Sequence, residues 1–520
     1  MRVESGRPRR RLAKLLFPMV LALAVLGASL GRMADSGTSP AAPRQEQAVL
    51  GGQGITYQAN WESLARWEAP QWFEDAVFGI YWHWGPYSVA GYGYSCWYGS
   101  TMYQPDHGPD YRGGDCYKHH LEVWGDPFTQ FGYKDFIPLL TAEKWDPAGW
   151  AKLFKEIGAD FAGPCAEHHD NFAMWDSKVT MWNSVQMGPR RDIVGDIARA
   201  LDERDMRFIV TFHNNGCNNW NYFNGGRKGC PEGVDVNNPD YFGLYGEPHD
   251  SPGARHRMCL KFYLKAMEVI EKYNPQMIWL EGCMDKEIIA DYMPKLMAHY
   301  FNKNEKLGRG VVVTHKNEEL PLECSPLDFE GGGQKEPDRL KWQTDIPLPG
   351  CSWAYEFTIK MTPAEVEKRA DTLVDSIVDR TSKNGVTLLS IGPRADGTIP
   401  DYQVEMLKKL GTWMKVNKEA LAGSTPAPFS EGGVDAWKAG TIRFTEKDGY
   451  LYAIELNSLA AGERLPGIKL SPKANIQMLG HAKNLPWRQE GGDVVIDQVP
   501  DKLPCSYAWC FKIKKSDIVN

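Results

Sequence analysis

Phe78-Gly79-Ile80-Tyr81-Trp82-His83-Trp84 is a short apolar, β-favouring run that ends among polar-tipped aromatics and is followed by Gly85 and Pro86. Seven more runs of this kind lie downstream, at 159–166, 207–213, 276–281, 310–315, 326–329, 351–357 and 386–391, the first spanning 78–84. Between them the apolar spacing becomes helical, at 146–157, 192–204, 256–272, 286–300, 363–382 and 402–417, and several of these segments open with Asp or Pro, as helix starts do. Eight strands alternating with helices predict an α/β fold, a (β/α)8 TIM-type barrel over residues 60–422. The segment 92–144, rich in Gly, Tyr and Asp, is too long for a simple crossover and is expected to shape a pocket rim.

The remaining regions read differently. Arg7, Arg9, Arg10, Arg11 and Lys14 precede an apolar run at 15–30, which predicts a signal peptide over 1–31 and a polar linker over 32–59. No later stretch is long and apolar enough for a membrane span, so none is expected once the signal is removed. The protein is then periplasmic or secreted. Past residue 424 a Ser/Thr/Pro/Gly stretch gives way to short alternating runs, such as Thr441-Ile442-Arg443-Phe444 and Tyr450-Leu451-Tyr452-Ala453-Ile454, and a small C-terminal antiparallel β-sandwich is expected over 423–520.

Composition narrows the function. A formal charge of -7 leaves no basic excess to neutralise a phosphate backbone, so nucleic acid is not an expected partner. The 19 Trp and 22 Tyr suit both a large core and the apolar face of a sugar ring. The 11 Cys follow the signal into an oxidising compartment; Cys505 and Cys510 are close enough to staple a turn, and the odd total leaves at least one unpaired. No CxxC pair or Cys/His cluster has zinc spacing, so neither a metal nor an organic cofactor is indicated.

In such a barrel the chemistry lies where strands end. The polar residues there are His83, His168 with His169, His213 with Asn214, Glu281 and Glu330. Glycoside hydrolysis needs two carboxyl groups across the scissile bond, about 5–5.5 Å apart when configuration is retained. Glu281 and Glu330 are the candidate catalytic pair, although each equally fits a rim carboxylate in a salt bridge.

Three groups of motifs decide between these readings. Phe78-Gly79-Ile80-Tyr81-Trp82-His83-Trp84-Gly85-Pro86-Tyr87-Ser88-Val89 is the first. The second is Glu167-His168-His169-Asp170-Asn171-Phe172, continuing through Trp175-Asp176-Ser177-Lys178 to Gly188-Pro189-Arg190-Arg191-Asp192. The third is Ser382-Lys383-Asn384-Gly385 with Ala395-Asp396-Gly397-Thr398-Ile399-Pro400. Together they resemble the α-L-fucosidases, glycoside hydrolase family 29, over residues 60–422. The resemblance implies a retaining hydrolase acting on a fucosylated oligosaccharide or polysaccharide. It also implies that His83, His168 and His169 hydrogen-bond sugar hydroxyls and that Trp97, Trp279 and Trp353 pack around the sugar.

Three positions depart from the family pattern. Glu281 stands where the family has an aspartate nucleophile, and its extra methylene moves the carboxylate by about 1.5 Å against a near-attack distance of roughly 3–3.5 Å. Asp285 is the weaker substitute. Cys96 replaces a pocket glutamate, and Lys316 replaces an arginine, a point charge in place of a bidentate fork. The acid/base is placed at Glu330, with Glu336 as the alternative. The competing readings are the same scaffold acting on L-galactose or a sulfated fucose, and a carbohydrate-binding protein without catalysis.

Overall fold

The computed structural model describes residues 55–105, 108–109, 114–213, 222–223, 235–248, 250–282, 284–427 and 441–519. The expected signal peptide and Asn214 lie outside these residues. Seven parallel strands, β1 Phe78–Trp82, β2 Phe161–Glu167, β3 Arg207–Phe212, β4 Met277–Leu280, β5 Val312–His315, β6 Trp342–Pro347 and β7 Gly385–Ile391, form one sheet in the order β5-β4-β3-β2-β1-β7-β6. The expected strand at 326–329 is only a pair of isolated bridges, but it stands between the two sheet edges. Leu327 pairs with His315 of β5 and Asp328 pairs with Gln343 of β6, both in parallel, which all but closes the barrel.

One expected strand is misplaced. Residues 351–357 form a rim loop whose Ala354 makes a single bridge to His83, and the strand lies earlier, at β6. Its polar residues hide it. Gln343 hydrogen-bonds Asp328, Thr344 donates to the Phe329 carbonyl and Asp345 accepts from Tyr81, so side chains that read as loop find partners inside the barrel.

The strands alternate between two apolar environments. Tyr81, Phe161, Ile209, Met277, Trp279, Val312, Val386 and Leu388 fill the barrel interior, while Ile80, Trp82, Val210, Phe212, Ile278, Leu280, Val313 and Leu389 meet the outer helices. The interior is tight enough to require glycine at Gly163, where a Cβ would lie 1.7 Å from the Ile209 carbonyl oxygen. The outer layer holds α1 Pro147–Glu156, α2 Ile193–Asp202, α3 Ala254–Tyr273, α4 Met293–Lys306, α5 Pro363–Thr381 and α6 Asp401–Asn417. Asp146 and Asp192 cap α1 and α2, and Thr362 with Glu365 forms a capping box on α5. Among the described residues no helix is long and apolar enough to cross a membrane.

Beyond α6 come a six-stranded and a three-stranded antiparallel sheet with their own apolar core, including Phe444, Leu451, Ile476, Val494 and Phe511. They lean on the barrel through Arg443 Nε to Asp379 (2.7 Å) and the Trp413 indole to the Ala508 carbonyl (2.9 Å). Cys505 and Cys510, close enough in sequence to staple a turn, are not bonded to each other. Both thiols are free, and Cys505 donates to the Ala508 carbonyl instead.

Candidate active site

Because the strands are parallel, their carboxyl ends share one rim, and residues distant in sequence meet there. β1, β2 and β3 each deliver histidine: His83, the His168-His169 pair and His213. The His83 ring centroid is 5.2 Å from His168 and 4.8 Å from His213, and His168 is 4.7 Å from His169. All four are buried. Burial, with Lys316 adding repulsion, pushes His83 and His169 down to about 3, and burial with the neighbouring imidazoles drives His168 and His213 well below the usual histidine range. The wall is therefore made of neutral imidazoles, each with one donor and one acceptor nitrogen. For His83 the tautomer follows from its neighbours. Ser390 Oγ donates to the Trp353 carbonyl (3.2 Å), so it accepts from His83 Nδ1 (2.9 Å), and Nε2 is left with a bare lone pair.

Opposite this wall, Glu281 follows the last residue of β4 and Lys316 the last residue of β5. Lys316 Nζ is 2.7 Å from Glu281 Oε1 and 2.9 Å from Glu330 Oε2. Burial alone would pull the ammonium's pKa down, but Asp345, Glu281 and Glu330 outweigh it and the net shift is upward. The cation stays charged. Sharing one ammonium keeps the two carboxylate oxygens within about 5.6 Å, against the roughly 5–5.5 Å that separates the carboxyl groups of retaining glycosidases. His213 Nε2 lies 3.7 Å from the other oxygen of Glu281.

Trp279 floors this side. Its indole N–H donates to Asp328 Oδ2 (2.9 Å), its face lies 5.0 Å from the Lys316 ammonium, and its ring is 4.7 Å from His213. Beneath it Tyr81 donates to Asp345 Oδ2 (2.9 Å), and burial together with the Asp328 charge raises the Asp345 pKa well above the carboxylate range. Trp97 closes the rim beside His169, with ring centroids 5.0 Å apart, and half-buried Trp353 lies 5.6 Å from His83.

All nine residues singled out in the sequence thus stand around one end of the barrel. The alternatives do not join them. Asp285 is held by Arg255 in a two-pronged ion pair, with contacts of 2.7 and 2.8 Å, and Glu336 is exposed on the segment after Glu330. Cys96 is buried, and its carbonyl accepts from Tyr222 (2.8 Å). Two neighbours were not assigned roles from the sequence. His213 ended an expected strand but matched no motif, and Asp345 lay in the strand that was not recognised.

A pair of carboxyl groups facing neutral hydrogen-bonding imidazoles and aromatic faces suits acid/base and nucleophilic chemistry on a polyhydroxylated ring. Comparison with known proteins agrees. The alpha-L-fucosidase family profile matches residues 46–419. An alpha-L-fucosidase of Branchiostoma floridae is 27% identical over 483 residues, covering 88% of this chain and 96% of the relative. The tissue alpha-L-fucosidase of Mus musculus is 28% identical over 476 residues, covering 88% and 95%. Among solved structures, the Thermotoga maritima alpha-fucosidase in complex with fucose superposes with a TM-score of 0.69 at 28% identity, covering 88% of this chain and all of that one. Fold, site geometry and sequence converge: the chain belongs to the alpha-L-fucosidase family of glycoside hydrolases.

Proposed function

We propose that the protein is an exported, retaining α-L-fucosidase that removes terminal fucose from glycans by double displacement. Glu281 attacks the anomeric carbon while Glu330 protonates the departing glycosidic oxygen. Glu330 then takes a proton from water, which displaces Glu281 from the glycosyl ester. His83, His168 and His169 orient the sugar hydroxyls, and Trp97 and Trp353 supply apolar faces. The observation carrying this reading is the single Lys316 ammonium shared by Glu281 and Glu330.

The longer nucleophile is accommodated locally. The Gly282 N–H donates to Glu281 Oε1 (3.1 Å), so the side chain curls back over its own backbone and the extra methylene is absorbed rather than thrust into the pocket. The lysine that holds this curled carboxylate already faces two carboxylates, which disfavours the reading in which it captures a sulfate. Export is supported by the basic and apolar order of the first 30 residues.

The test is release of 4-nitrophenol from 4-nitrophenyl α-L-fucoside by the mature protein, beside Glu281→Ala and Glu330→Ala. Turnover by the parent and a loss of roughly 10⁴-fold or more in kcat for Glu281→Ala are expected. Proton NMR of the first-formed sugar should show the α-anomer, and a 2-fluoro fucoside should leave its ester on Glu281. A folded parent with no turnover, or a β-anomer product, overturns the proposal.

A further inference from the structure

His83, His168 and His213 are 85 and 45 residues apart along the chain, yet their ligand nitrogens all lie within 4.8 Å of one another. Such a trio is invisible to sequence spacing, because adjacent parallel strands bring it together. We propose that these three imidazoles form a site for a divalent transition cation of the Zn²⁺ or Co²⁺ class, and that its occupation blocks the sugar pocket. The inhibitory consequence rests on the fucosidase reading; the binding does not.

Three observations carry it: the nearness of the three rings, the orientation of His83 and the orphaned nitrogen of His168. Imidazole nitrogen suits Zn²⁺ and Co²⁺. His83 already has the supporting arrangement of a metal ligand, its Nδ1–H fixed on Ser390 Oγ and its Nε2 bare. His168 Nδ1 is buried without a hydrogen-bond partner among the described residues.

The remaining surroundings decide the character of the site. Glu281 Oε2, 3.7 Å from His213 Nε2, is in place to become a fourth ligand. Cys165 Sγ contacts His213 Nδ1 (3.1 Å) and restrains that ring. Lys316 opposes a cation, but Glu281 and Glu330 already offset its charge. A tetrahedral ion with bonds of about 2.0–2.1 Å needs nitrogens roughly 3.4 Å apart, so the rings must draw in by about 1 Å, a small side-chain rotation. The ion would then take the imidazole lone pairs and the carboxylate oxygen offered to the sugar. No step of hydrolysis passes through it.

The experiment titrates the EDTA-treated, dialysed mature protein with Co²⁺ and records the visible ligand-field spectrum and bound stoichiometry, beside His213→Gln, His83→Gln and the surface control His299→Gln. Near-UV circular dichroism identifies which variants are folded. Expected are one Co²⁺ per chain with the intense bands of low coordination, at least tenfold weaker binding in each folded pocket variant, and parental binding in His299→Gln. Zn²⁺ should displace Co²⁺ and raise KM for 4-nitrophenyl α-L-fucoside with kcat unchanged. Absence of a Co²⁺ spectrum in the parent, or binding that survives in the folded pocket variants, overturns the site. Hydrolysis without cobalt binding sinks the metal site alone, and cobalt binding without hydrolysis sinks the fucosidase reading alone.

Discussion

On the proposed reading, Glu281 and Lys316 are two departures from the family pattern that offset each other at one site. A glutamate carboxylate would overreach an aspartate's place by about 1.5 Å, a displacement of the size that costs about 10²-fold in rate when it misplaces a reacting group. The curl onto the Gly282 N–H and the short contact to Lys316 fix it in a retracted position. Glu281→Asp is therefore expected to hold kcat within about tenfold of the parent, because an aspartate carboxylate reaches the place to which the curl draws the glutamate one. A loss of about 10²-fold or more would show that the curl does not set the reach. Lys316→Met leaves two neighbouring carboxylates without their shared cation. It should lower kcat/KM by at least about 10²-fold and the melting temperature with it, read by steady-state kinetics and scanning calorimetry.

At the scale of elements, the turn carrying His168 and His169 is held by a buried ion pair. Lys265 of α3 and Glu167 at the end of β2 are each 1% exposed and in direct contact, and Lys265 Nζ also donates to Asn171 Oδ1 (2.7 Å). Asn171 adopts a left-handed conformation, φ 60°, and its amide donates to the Gly243 and Leu244 carbonyls. Removing only the cation leaves a buried carboxylate uncompensated. Lys265→Met should cost about 3–5 kcal/mol, and the double variant with Glu167→Leu should recover part of it in thermal unfolding. Gly163→Ala tests the barrel wall. Its Cβ meets backbone, which cannot rotate away, so little folded protein is expected in the soluble fraction.

For the whole molecule the pocket histidines weaken the fold in acid. Their folded-state pKa values lie below the unfolded value of about 6.5, so on acidification protons bind the unfolded chain first. Their contribution to stability is complete above that value and is lost as pH falls, for His83 and His169 down to about 3. Melting temperature should decline steeply below pH 6, and a folded His213→Phe variant should decline less steeply. Equal slopes would show that the pocket does not control acid unfolding.

The barrel was legible in the sequence because apolar runs and helical spacing are local consequences of burial, and six of the eight expected strands lie on the observed ones. Strand β6 was not legible, since Gln343, Thr344 and Asp345 become interior only when Asp328, Phe329 and Tyr81 close over them. The site residues were legible one by one, as polar side chains ending apolar runs and as motif matches. Their grouping was decided by tertiary structure: Lys316 joins Glu281 to Glu330, the Gly282 N–H holds the Glu281 carboxylate back, and three histidines from adjacent strands meet. Strand periodicity depends on neighbours a few residues away, whereas His83 and Ser390 are 307 positions apart, and only a closed parallel barrel brings them within a hydrogen bond.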